Sequence, residues 1–137
     1  MFAARRDHLE RLVRPALAAG RWVVCDRFTD STWAYQGGGR GGPAERIAWL
    51  EQWVHGDLQP DRTYLFDLPA ELAAERRASA RAADRFERED EAFFRRVREA
   101  YRQRAGQSPG RFLVVDGRRT IEEIRKLLEE DITSIGI

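Results

Sequence analysis

RWVVCDRFTDSTWAYQGGGRGG, residues 21–42, is the stretch on which the fold turns. Its first five residues form a short, nearly continuous apolar run that stops at Asp26, the form of a strand buried in a parallel sheet. Charge, hydroxyls and an amide follow at once in Asp26, Arg27, Ser31, Thr32, Tyr35 and Gln36, ahead of the glycine-rich Gly37 to Gly42. An aspartate can accept from a metal-bound water, an arginine can clamp a phosphate with two parallel N–H groups, and hydroxyls and amides can read the edge of a base. By spacing alone, the same residues also suit a plain strand-to-helix turn with a capping serine.

The strand form recurs at Thr63-Tyr64-Leu65-Phe66-Asp67 and from Arg111 to Asp116. Three strands, each closing on an aspartate and separated by helical pattern, predict an α/β fold. Its parallel sheet is flanked by helices and carries function at its carboxyl edge. Upstream, Leu9, Leu12, Val13 and Leu17 recur at helical spacing, with Gly20 where a helix ends. Pro43 can open a helix carrying Ile47, Leu50, Trp53 and Val54, and Pro69 another toward Arg77. Glu87 to Ala105 sets Phe93, Phe94, Val97 and Tyr101 on one face, and Ile121 to Glu130 does the same with Ile121, Ile124, Leu127 and Leu128. Gly37 to Gly42 and the Arg/Ala-rich stretch from Glu75 to Arg85 read as loops. The 137 residues suit a single domain. Three strands leave its sheet incomplete, and the chain opens inside a helical pattern at Met1 with no capping residue before it.

Composition removes several function classes. Hydrophobic residues at 42% and charged residues at 34% fit a globular protein better than a disordered one. A net charge of +1 lacks the basic excess with which proteins displace counterions from nucleic acid. Of the 24 basic residues only Lys126 is a lysine, so planar guanidinium forks are plentiful and ammonium groups scarce. No stretch approaches the apolar length that spans a bilayer. The single cysteine, Cys25, ends an apolar run and predicts a packing role in a reducing cytoplasm. His8 and His55 lack metal-ligand spacing, so no metal site is expected from protein ligands. Gly37 to Gly42 is not a phosphate-binding loop, which would close on Gly-Lys-Ser or Gly-Lys-Thr.

CDRFTDSTWAYQGGGRG resembles the stretch after the third strand of bacterial thymidylate kinases. The rest of the chain keeps step: FAARRDHLERLVRPAL resembles that family's preceding helix and LQPDRTYLFDLP its next strand. ADRFERED resembles its lid exit, and FLVVDGRRTIEEI its final strand and helix. The resemblance implies an incomplete P-loop nucleoside-monophosphate-kinase fold over residues 1–137, matching the C-terminal two thirds or so of the family's chain. It implies a homodimer that moves the γ-phosphoryl of ATP to dTMP with Mg2+. Arg27 resembles the arginine that grips the monophosphate, Asp26 the acid that orients phosphate and metal, and Arg5 the arginine that bonds the thymine. Met1 falls where the family places an aromatic against the base. Ser31, Thr32, Tyr35 and Gln36 resemble the group beside base and sugar, with Thr32 or Gln36 reading the pyrimidine. Residues 75–87 resemble the lid, making Arg77, Arg81 and Arg85 its candidate catalytic cations, and Arg118 resembles the loop bordering adenine.

The family's first strand and P-loop have no counterpart in this sequence. The expectation is therefore a dTMP site and lid without an ATP-phosphate site, and a polypeptide inactive by itself. A start codon placed too late, a truncated gene and one part of a split enzyme would each produce such a chain. The alternative is a non-catalytic nucleotide-binding or protein-interaction fragment.

Overall fold

Helix α1 runs over 2–18 and is held along one line of side chains. It is α-helical at Phe2–His8, π-helical at Leu9–Val13 and α-helical again at Arg14–Ala18. Leu9, Val13 and Ala16 are buried along that line. Leu12 and Leu17, expected on the same face, are 58% and 41% exposed. Neighbouring positions on a helix lie about 100° apart, so Leu12 and Leu17 fall off the line that residues 9, 13 and 16 occupy. The structure is a computed structural model that describes the backbone of residues 1–80 and 91–136, and the side chains of all of these except 77–80.

Residues 21–25, expected as the first strand, pair with no strand among the described residues. Val24 is 94% exposed, Trp22 is half-exposed, and Cys25 lies at the surface rather than in the core. A strand forms only where a neighbouring strand pairs with it. No described strand lies against this run, so it stays outside the sheet, with Arg21 N donating to the Ala16 carbonyl at 3.0 Å. Among the described residues the sheet therefore has two strands where three were expected.

Helix α2 covers 29–39, α-helical at Thr29–Thr32 and π-helical at Trp33–Gly39. Of the stretch expected as a loop, Gly37 to Gly39 thus lie inside a helix, while Arg40 to Gly42 form the turn that follows it. A Cβ on Gly38 would sit 2.4 Å from the Ala100 Cβ, and one on Gly39 would sit 2.6 Å from the Phe93 ring. Absent side chains let α2 press against a later helix more closely than any other residue would permit. Helix α3, Ala44–His55, follows Pro43 as expected and buries Ile47, Val54 and His55. Trp53, expected on its inner face, is 69% exposed and stacks on the exposed Trp49 with ring centres 5.7 Å apart.

Strands β1 (Thr63–Asp67) and β2 (Phe112–Asp116) pair in parallel, in a register that sets Asp67 opposite Asp116. Helices α4 (Ala70–Ala80) and α5 (Glu91–Gln107) lie within the crossover between them. Helix α6, Ile121–Ser134, starts on a capping box in which Thr120 and Glu123 exchange hydrogen bonds. It is tied to the sheet by Asp131, which accepts from Arg62 and from the Tyr64 hydroxyl. Ile121 occupies the first turn of α6 and is 82% exposed, not buried as its spacing suggested.

The apolar core falls into two clusters. Leu9, Val13 and Val54 join α1 to α3, with Phe2, Val23, Phe28 and Leu58 around them. Ala34, Phe93 and Val97 join α2 to α5, with Tyr35, Phe94, Ala100 and Tyr101 around them.

Candidate functional site

Two arginines from different segments meet helix α2. From α1, Arg5 donates through Nη1 to Thr32 Oγ1 at 3.1 Å and through Nη2 to the Phe28 carbonyl at 3.4 Å. Its guanidinium lies over the Phe2 and Phe28 rings, 5.2 and 5.4 Å from their centres. Burial draws its pKa down, and it forms no ion pair among the described residues. A half-buried cation held by neutral groups favours an incoming acceptor.

Arg27 stands at the mouth of α2, with φ of 62°, the only non-glycine residue with positive φ among those described. That conformation brings the Cβ of an L-residue against its own carbonyl and costs about 1–2 kcal/mol. Arg27 Nη2 donates to the Tyr35 hydroxyl at 3.2 Å, and the guanidinium sits 5.0 Å from the Tyr35 ring centre. A guanidinium has five N–H groups, and this contact uses one of them. The fork thus remains open to solvent on an otherwise fixed side chain.

Ser31, Thr32, Tyr35 and Gln36 all lie on α2, but their polar groups are differently engaged. Thr32 is buried and its hydroxyl accepts from Arg5, with Met1 Sδ 3.9 Å away. Ser31 Oγ accepts from Tyr101 at 2.9 Å. The Gln36 carbonyl accepts from Gly42 N at 2.8 Å, while its half-buried amide makes no hydrogen bond among the described residues. Asp26 is exposed and likewise has no hydrogen bond or ion pair among them. The structure therefore gathers Arg5, Thr32 and Met1 into one group, and Arg27 and Tyr35 into another, along a single helix.

Arg118 stands elsewhere, its guanidinium held bidentately by Asp116 at the end of β2. That contact pulls the Asp116 carboxyl down to about 2. Arg81 and Arg85 lie outside the described residues, as does the Arg77 side chain. No group of three or more potential metal ligands occurs among the described residues, and His8 and His55 form none. His55 is buried instead, its Nε2 2.7 Å from Thr29 Oγ1. Burial lowers its pKa, which keeps the ring neutral. A shallow depression of about 320 Å³, lined by Glu45, Arg46, Trp49 and Leu50, lies on α3 and contains none of the site residues.

Beneath α2 runs a polar frame that the sequence did not reveal. Asp30, 6% exposed, accepts from Arg111 through both carboxylate oxygens and from Arg104 Nε at 3.0 Å. Burial pushes this carboxyl up, but the two arginines outweigh it and hold it below the usual carboxylate range. Glu51 accepts from the Trp33 indole at 2.5 Å and lies 3.5 Å from Arg104. Arg96 donates twice to the Gly39 carbonyl, so α5 grips α2 at both ends. One signal could have pointed here: Asp30 is an acid in the first turn of a helix, amid hydroxyls and aromatics, in a chain rich in arginine.

Comparison with known proteins bears on this arrangement. The family model described as thymidylate kinase matches residues 1–128. Thymidylate kinase of Cupriavidus necator is 58% identical over 135 residues, which is 98% of this chain and 66% of that protein. That of Bordetella pertussis is 55% identical over the same length, covering 65% of its own chain. This chain thus spans just under two thirds of these relatives. Among solved structures, thymidylate kinase from Ehrlichia chaffeensis superposes with a TM-score of 0.68 at 31% identity, covering 93% of this chain and 60% of its own.

Proposed function

The chain belongs to the thymidylate kinase family, and from that membership we propose that helix α2 and its two arginines form the acceptor half of a thymidylate kinase, the site that holds dTMP. The convergence of Arg5 and Arg27 on one helix carries this reading. Arg27 offers the open fork to the monophosphate and Asp26 an exposed carboxylate beside it. Arg5 and Thr32 face the pyrimidine. Of Thr32 and Gln36, Gln36 is the better reader of the base, because its amide has no hydrogen bond among the described residues while the Thr32 hydroxyl already serves Arg5.

The rest of the reading follows the family. ATP is the donor, magnesium the counterion, the assembly a homodimer and the compartment the cytoplasm. No described helix is long and apolar enough to cross a membrane. Arg77, Arg81 and Arg85 remain proposed as lid cations and Arg118 as a neighbour of adenine. The 137 residues contain no Gly-Lys-Ser or Gly-Lys-Thr, so they do not fit the ATP phosphates. Magnesium keeps most of its waters and rides on substrate phosphates, which suits a single exposed carboxylate such as Asp26.

Calorimetric titration with dTMP and with thymidine tests the assignment. Arg27→Ala should weaken dTMP binding about 10- to 100-fold, the range for losing a charge-assisted contact. Thymidine, which lacks the phosphate, should bind the variant and the wild type alike. Absence of saturable dTMP binding by the wild type, or equal dTMP affinity in the variant, would overturn the reading.

A further inference from the structure

Ser31 and Tyr101 are 70 residues apart, yet the Tyr101 hydroxyl donates to Ser31 Oγ at 2.9 Å. Of two hydroxyls, the phenol is the stronger acid and takes the donor role. A serine hydroxyl has one hydrogen and two acceptor lone pairs. Once a lone pair is taken by Tyr101, the serine hydrogen is free to be aimed at a further acceptor, and no described residue receives it.

Tyr101 is well placed to fix that geometry. It projects from α5 into the cluster of Ala34, Phe93 and Val97, and its ring meets the Tyr35 ring edge-on at 6.4 Å. Arg27 is close enough for its charge to act on the phenol. Burial raises the Tyr101 pKa, so the phenol remains a neutral donor through the physiological range. Its helix is anchored to α2 on either side of the contact, through Arg96 to Gly39 and through Arg104 to Asp30. Tyr101 therefore links Ser31 to the Tyr35 ring, which in turn holds Arg27.

We propose that Tyr101 is a positioning residue, which by donating to Ser31 fixes that serine as a hydrogen-bond donor toward an oxygen of the nucleotide bound beside Arg27 and Tyr35. This rests on the reading of α2 as the dTMP site. It assigns a role in that site to a residue on a separate helix. It also makes Ser31 a directed donor rather than one of several interchangeable hydroxyls.

Two measurements on the 137-residue chain test it. Tyr101→Phe keeps the ring and removes only the hydroxyl. In the unliganded protein, Ser31 Hα–Hβ couplings read by NMR should report one χ1 rotamer in the wild type and rotamer averaging in Tyr101→Phe. Calorimetry should show dTMP bound about three- to tenfold more weakly by Tyr101→Phe, the worth of one neutral hydrogen bond. The double variant Tyr101→Phe/Ser31→Ala should bind as Ser31→Ala does, because Tyr101 acts through Ser31. Unchanged couplings in Tyr101→Phe overturn the proposal, and so do losses that multiply in the double variant. A wild type that shows no dTMP binding overturns the nucleotide reading instead, and the Ser31 couplings then judge the Tyr101 contact without reference to ligand.

Discussion

Residues 21–28 and 29–39 are joined directly, both were singled out by the same stretch of sequence, and they end in opposite conditions. The first is irregular, with Val24, Trp22 and Cys25 at the surface and no ladder partner among the described residues. The second is a helix with Thr29, Asp30, Thr32, Ala34 and Gly39 buried against α3 and α5. A helix closes its hydrogen bonds within itself, while a strand borrows them from a neighbour. The helix therefore forms from the less apolar of the two stretches, while the more apolar run, without a partner strand among the described residues, stays at the surface. Two aspartates four residues apart embody the contrast: Asp26 is solvated and unengaged among the described residues, and Asp30 is buried between two guanidinium groups.

The sharpest way to break that contrast is to remove each carboxylate in turn. Asp30→Ala leaves Arg111, 14% exposed, without its anion and Arg104, 20% exposed, with only Glu51 at 3.5 Å, and should cost about 3–5 kcal/mol. Asp26→Ala should change stability by less than about 0.5 kcal/mol. Urea unfolding monitored by tryptophan fluorescence measures both, and similar losses in the two variants would refute the asymmetry. The pH dependence has a definite sign. The folded-state pKa of Asp30 is depressed, so its contribution is fully present above the ordinary aspartate value of about 3.9 and is lost as pH falls through the lower folded value. Asp30→Asn should flatten the acid limb of the stability curve.

A smaller effect probes the close contact between α2 and α5. Gly38→Ala drives a methyl to within 2.4 Å of the Ala100 Cβ, and should cost about 1–3 kcal/mol as the helices are forced apart. Gly106→Ala, in the last turn of α5 with open space around its Cβ, should be neutral or stabilising by up to about 1 kcal/mol. Thermal midpoints of the pair decide it. A tolerated Gly38→Ala would mean that the helices stand further apart than described.

These comparisons also mark what could be read in the sequence. The spacing of Phe93, Val97 and Tyr101 identified a face of α5, Pro43 the start of α3, and the two runs ending at Asp67 and Asp116 the paired strands. Each depends on local periodicity or on a residue with one dominant conformational preference. The unpaired run at 21–25 was not legible, because pairing is a property of the neighbour as much as of the strand. Gly37 to Gly39 misled for a related reason. Glycine is a poor helix former alone, but it is the one residue that fits where Arg96, Val97 and Ala100 approach the backbone. In the site, Arg27, Thr32 and Tyr35 stood out by residue type after an apolar run, Arg5 came from the resemblance, and their pairings came only from three dimensions. Asp30 with Arg104 and Arg111, and Ser31 with Tyr101, link positions 70 or more residues apart, beyond the reach of any local pattern.

The finest test falls at the junction of the two regions. Arg27 ends the exposed segment with φ at 62°, a conformation glycine adopts without penalty and arginine does not. Arg27→Gly should relieve about 1 kcal/mol of backbone strain, offset in part by the greater freedom of glycine in the unfolded chain and by the lost contacts to Tyr35. The expected result is a stability equal to the wild type or up to about 1 kcal/mol higher, together with loss of the phosphate-dependent part of dTMP affinity. Arg27→Ala lacks both the guanidinium and the relief, so it should lose the same affinity and be the less stable of the two. If Arg27→Gly proves less stable than Arg27→Ala, the left-handed turn carries no strain, and no conformational energy is held where the irregular segment enters the helix.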